Sequence, residues 1–209
     1  MDTKVLPLAV AMMAGPQIMT SVVLVTGQGP VKTSLAYVGA IAIAVVAGTA
    51  VAMLIAKAVG SGITLHKSSG TTTAAHIIEL ALVALLLLAA VRSYLGRATA
   101  EPPKWLGKLQ TAGPREAFRF GLLLIFLMPT DVVIMLTTGI HLEGEGKSLV
   151  DASLFFAATV LIAALPALGY VAFRRRAAVA MPKVRDWMNS NSWLVNIFVY
   201  ALFIVLILA

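Results

Sequence analysis

The stretch MMAGPQIMTS, residues 12–21, puts a proline inside an apolar run. Pro16 has no backbone N–H and its ring crowds the preceding turn, which costs a helix interior about 3 kcal/mol or more. Gly15 weakens a helix at the same point, and Gln17 adds a polar side chain there. The stretch FLMPTDVVIM, residues 126–135, repeats the arrangement, with Pro129, Thr130 and Asp131 in the middle of a second apolar run. The fold turns on whether these prolines break two membrane spans at a functional depth or only kink two packing helices.

The surrounding composition places both runs in a bilayer. Of 209 residues, 60% are hydrophobic and 12% are charged, with a mean hydropathy of +0.95. Soluble domains are about 45–50% apolar and about 25% charged. A spanning helix needs about 20 mostly apolar residues. Six segments meet that length: 5–26, 34–58, 74–95, 118–138, 149–173 and 191–209. Gly, Pro and charged residues punctuate the connections between them. The N-terminus lacks a basic region followed by a small-residue cleavage site, so it reads as the first span.

The net charge of +7 sits in the connections and reads as a topology signal, so no nucleic-acid partner is expected. Lys32, Arg92, Arg97, Lys104, Lys108, Arg115, Arg119, Arg174, Arg175, Arg176, Lys183 and Arg185 fall on one side of the six-span arrangement. Only Lys4, Lys57, Lys67 and Lys147 fall on the other. The positive-inside rule makes the richer side cytoplasmic. The expectation is a multi-pass protein of the cytoplasmic (inner) membrane with both termini extracytoplasmic. The sequence has no cysteine, which removes disulfides, thiolate metal sites and thiol relays.

The two proline motifs also suggest an internal repeat. Pro16 and Pro129 are each followed about ten residues later by Thr-Gly, at Thr26-Gly27 and Thr138-Gly139. A lysine then precedes Ser-Leu in both, at Lys32…Ser34-Leu35 and Lys147-Ser148-Leu149. Three spans per copy invert the second copy relative to the first. The predicted fold is therefore an all-α polytopic membrane protein, with six transmembrane helices as two inverted three-helix repeats and Pro-broken helices 1 and 4. The repeats cover 1–95 and 118–209, joined by a cytoplasmic linker at 96–117.

Two acids fall well inside these spans, Asp131 and Glu79. An acid near the bilayer centre costs roughly 2.5–3.5 kcal/mol on insertion scales, so it needs a partner or a task. Asp131 can accept from N–H groups freed by the break, hold a cation or carry a proton; capping the broken helix is the structural alternative. Glu79 and His76 share a helix face, as a proton relay, as a metal half-site with too few ligands for a cage, or as an interfacial hydrogen-bonded pair. Thr20, Ser21, Thr137 and Thr138 either line a cavity or bond back to their own helices. No nucleophile, zinc or nucleotide motif is present, so neither an enzyme nor a bound cofactor or metal is expected.

The motifs AGPQ and LMPTD, opening two three-span halves, resemble those of the lysine-exporter (LysE) superfamily. Within it, the opening LPLAVAMMAGPQIMTSVVLV, the long basic central loop and a last span ending at the C-terminus resemble the GAP branch, which includes peptidoglycolipid- and sulfolipid-addressing proteins. The resemblance implies a secondary transporter or translocase that exports an amphipathic substrate, a glycolipid or lipid-linked precursor. Carried onto this sequence, it marks Gly15, Pro16, Gln17, Pro129, Thr130 and Asp131 as substrate-binding. Thr20 joins them at the cavity, and Arg115 and Arg119 would collect an anionic headgroup at the cytoplasmic mouth. Asp131, Glu79 and His76 are the proton-coupling candidates. Membrane lipids and the substrate are the expected partners, with a homodimer left open. A small-solute exporter of an amino acid or cation, and a non-transporting scaffold for a lipid-export complex, are the alternatives.

Overall fold

The computed structural model describes residues 5–59, 73–98 and 108–191, with 193, 194, 197, 198, 200, 201 and 204. The regular elements are helical: α1 (Val5–Met13), α2 (Pro16–Val25), α3 (Pro30–Val59), α4 (Thr73–Leu95), α5 (Pro114–Leu127), α6 (Pro129–Gly144), α7 (Ser153–Ala172) and α8 (Arg174–Ser190). Short 3₁₀ turns at Gly96–Ala98 and Leu149–Ala152 follow α4 and precede α7.

Both proline motifs are elbows. α1 and α2 meet at a bend of 63°, and α5 and α6 at one of 73°. The local causes differ. At the first elbow Gly15 has φ 92 and ψ −133, a backbone conformation that side-chain-bearing residues rarely adopt, and Pro16 starts the next helix. At the second, Met128 is extended with φ −82 and ψ 114, the conformation a following proline imposes, and Pro129 starts α6.

α3 is the spine. It packs most extensively against α5 and α6 and also touches α7 and α2. Ala40, Ala44, Gly48, Ala52 and Ala56 recur every four residues along it, and the alanines among them are buried. Small residues let helix backbones approach closely in a bilayer, where packing replaces the hydrophobic effect as the drive for association. Two glycines answer from the other side. A Cβ on Gly139 would lie 2.5 Å from Ala52 Cβ and 2.8 Å from the Thr49 carbonyl oxygen. A Cβ on Gly121 would lie 2.9 Å from Ala40 Cβ. Met12, Met13, Leu24, Tyr37, Ile41, Ile125 and Phe155 fill the core between these helices. Leu35, Ile43, Leu54, Leu127 and Leu168 are exposed, as an apolar outer surface facing lipid would be.

The six-span, two-repeat expectation is corrected here. Among the described residues, two helices are long and apolar enough to cross a membrane, Pro30–Ala58 and Leu149–Ala172, and up to four if each bent pair counts as one span. Within α4 the apolar helix of the described residues is Val83–Leu95, and the side chains of 73–82 and most of 191–209 lie outside the described residues. Nor do the helices group three by three. Among the described residues α4 has no extensive packing against α1, α2 or α3, whereas α3 packs on α5 and α6, and α7 packs on α1 and α2. The physical reason is that apolar length alone does not separate a straight spanning helix from one that turns at an elbow. The basic segment after α7, expected as a connection, is the helix α8, with Pro182 inside it.

Candidate functional site

The elbows place one polar residue each into the same buried spot. Gln17 lies one residue into α2 and Asp131 two residues into α6. Gln17 Nε2 donates to Asp131 Oδ2 at 2.6 Å. The two side chains come from positions 114 residues apart, and Gln17 is 2% and Asp131 0% exposed. A carboxylate only accepts hydrogen bonds, so the amide nitrogen of Gln17 is the atom that faces it. No Lys, Arg or His pairs with Asp131 among the described residues.

Further groups hold Gln17 in place. The Tyr37 hydroxyl on α3 donates to the Gln17 carbonyl oxygen at 3.0 Å, and Ser21 Oγ donates to the same oxygen at 3.3 Å. Thr20 Oγ1 donates to the Pro16 carbonyl at 2.7 Å. The Thr20 and Ser21 bonds run back one turn to carbonyls of the first turn of α2, and the Tyr37 bond ties that turn to α3. Among the described residues, Gln17 Oε1 and Asp131 Oδ1 are buried without a hydrogen-bond partner, as are the hydroxyls of Ser34, Thr49 and Thr138.

The pair has two self-consistent hydrogen-bonding states. With Asp131 ionised, the amide nitrogen donates to it. With Asp131 protonated, its O–H donates to the amide oxygen once the amide turns over. One proton therefore reverses the polarity of the contact between the elbows. An apolar cleft flanks each elbow. One of about 190 Å³ is lined by Gly15, Ile18 and Ile162 among others, and one of about 240 Å³ by Gly48, Phe126 and Met135 among others.

The remaining expected residues distribute unevenly. Gly15 sits at the elbow, where an added Cβ would lie 3.9 Å from Gln17 Oε1. Thr20, Ser21 and Thr138 are buried, while Pro129, Thr130 and Thr137 are exposed. Arg115 and Arg119 are exposed on the first turns of α5, outside the polar pair. Glu79 and His76 fall in the first turns of α4, where the side chains lie outside the described residues. The described residues contain no group of three or more His, Cys, Asp or Glu placed to hold a metal ion. The sequence reading missed Tyr37, Ser34 and Thr49. The available signal was polar residues at helical spacing on the small-residue face of α3.

No curated protein and no solved structure matches the chain. A family model described as Sap, sulfolipid-1-addressing protein, matches residues 5–209. A match of that extent covers both elbows and the pair between them, and this helical membrane protein accordingly belongs to the sulfolipid-1-addressing protein family.

Proposed function

We propose that the protein is a translocase that moves an amphipathic lipid, a glycolipid or lipid-linked precursor, across the cytoplasmic membrane. The observation that carries this reading is the buried Gln17–Asp131 hydrogen bond between two helix elbows. Such interrupted helices are tolerated at membrane depth where they are buried in protein or line a cavity, and transporters place substrate and ion sites there. The substrate's polar part would meet Gln17 and Asp131, and its hydrocarbon would lie along the apolar clefts beside Gly15 and Phe126. The family's description, sulfolipid-1-addressing, supports a lipid over a small solute. The resemblance of AGPQ and LMPTD to the lysine-exporter superfamily supports export as such and fits a small solute as well as a lipid.

Asp131 is the proposed coupling residue, with Glu79 and His76 as further candidates for carrying the proton. Arg115 and Arg119 would gather an anionic headgroup at the mouth beside α5. Both partners of the polar pair come from one chain, so a homodimer is not needed to complete it. The test is Asp131→Asn in a strain lacking the native copy, with lipids profiled leaflet by leaflet. The expected result is normal membrane insertion with the transported lipid retained in the inner leaflet. Wild-type export by this variant removes the role given to Asp131. Tolerance of substitution at both Asp131 and Pro129, with loss on charge reversal in 174–185, turns the reading into a scaffold.

A further inference from the structure

The segment that follows α7 folds as a two-faced helix at the membrane edge. α7 is the last part of an apolar span, Leu149–Ala172, and only Phe173 separates it from Arg174, the first residue of α8. α8 therefore begins where the hydrocarbon ends. It folds back to pack on α2 and α7. Its inner stripe is Ala177, Met181 and Arg185, at four-residue spacing and buried or half-buried. Arg185 Nη1 reaches Thr26 Oγ1 at the end of α2, at 3.5 Å, and the same guanidinium binds Asp186 Oδ1 at 2.7 Å.

The outer stripe is Arg175, Val179, Lys183 and Trp187, again at four-residue spacing, and all four are exposed. Val179 is 63% and Trp187 55% exposed, high values for apolar side chains. Asp186 is already neutralised by Arg185, and no carboxylate pairs with Arg174, Arg175, Arg176 or Lys183 among the described residues. The face thus carries positive charge with no carboxylate partner among the described residues, an aliphatic side chain and a tryptophan, on a helix that starts one residue after an apolar span. That combination suits an interfacial helix on an anionic surface, with the ring and aliphatic group in the interface and the cations among the phosphates.

We infer that the outer face of α8 docks on the anionic lipid headgroups of the leaflet at which α7 ends. The occupant is fixed by charge complementarity and by the one-residue joint to a spanning helix. The inference stands independently of the transport reading.

The experiment uses the full chain reconstituted in vesicles, with Trp105→Phe and Trp193→Phe leaving Trp187 as the only tryptophan. Quenching of Trp187 by a headgroup-level label is compared between labelled phosphatidylglycerol and labelled phosphatidylcholine. Preference for the anionic label by about fivefold or more, the effect of a single charge near such a surface, is expected. Arg175→Glu with Lys183→Glu should abolish the preference, and Arg175→Lys with Lys183→Arg should keep it. Soluble glycerophosphoglycerol should not compete, which separates a lipid surface from a free phosphodiester site. Equal quenching by the two labels, or a preference that survives the charge reversal, overturns the inference and leaves the face to a soluble partner.

Discussion

Gln17 and Asp131 satisfy each other, and that makes their removal non-additive. Gln17→Leu takes away the donor to a 0% exposed carboxyl group. Leaving a buried polar group short of its partner costs about 1–3 kcal/mol, whereas replacing both partners with apolar groups is close to neutral. Gln17→Leu should therefore lower stability by that amount in reversible detergent-denaturant unfolding. The double variant Gln17→Leu/Asp131→Leu should recover most of it while transport stays lost. A double variant as unstable as the single one would mean that the pair is not the local unit described. Tyr37→Phe removes the hydroxyl that holds the Gln17 carbonyl, and should cost about 0.5–1.5 kcal/mol in the same assay. At this scale Gln17 and Asp131 were legible, because each follows a proline inside an apolar run. Tyr37 was not: its polar neighbours on α3 are few and scattered, and only the folded chain shows which carbonyl its hydroxyl finds.

The two elbows look alike in sequence but are held differently, and proline removal separates them. Gly15 at φ 92 needs no following proline to hold that conformation, so Pro16→Ala should disturb the first bend less than Pro129→Ala disturbs the second. Met128 is extended because a proline follows it, and its φ of −82 is already close to helical values. Pro129→Ala should therefore let α5 and α6 straighten, read as a longer distance between spin labels on the two helices. Helix contacts give a second contrast. Gly139→Ala drives a Cβ to 2.8 Å from a backbone oxygen of Thr49 and should cost about 1–3 kcal/mol. Gly48→Ala meets only the Met135 side chain, whose flexible end can swing aside, and should cost less. Positions of the breaks were readable from Gly and Pro. α8 was hidden because its arginines and Pro182 read as a loop, although the spacing of Ala177, Met181 and Arg185 was there to be seen.

At the scale of the whole molecule, membrane residence and all-helical structure followed from composition, while the number of spans did not. Counting apolar runs takes each bent pair as one span and groups α4 with α1–α3, although among the described residues the contacts of α4 outside its own segment are with Trp193. The described contacts there are an edge-on ring pair of Tyr94 with Trp193 at 5.6 Å and a bond from Ser93 Oγ to the Trp193 carbonyl at 3.3 Å. Whether a bent pair crosses the membrane or turns back is a question of reach. α5 has 14 residues and α6 has 16, joined at 73°. At about 1.5 Å of rise per residue they extend roughly 21 Å and 24 Å, which puts their outer ends roughly 36 Å apart. Laid along the membrane normal that distance covers the hydrocarbon thickness of about 30 Å, whereas a re-entrant loop would turn both ends to one face. The first pair, of 9 and 10 residues at 63°, reaches only roughly 24 Å by the same geometry, so the second is the sharper test. The sequence has no cysteine, so single introduced ones report cleanly. Thr111→Cys and Gly144→Cys, exposed positions flanking the pair, should react with a membrane-impermeant thiol reagent from opposite sides of intact cells or inverted vesicles. Labelling of both from one side would make α5–α6 a re-entrant hairpin, remove it from the count of spans, and move Asp131 from the midst of the membrane toward one face.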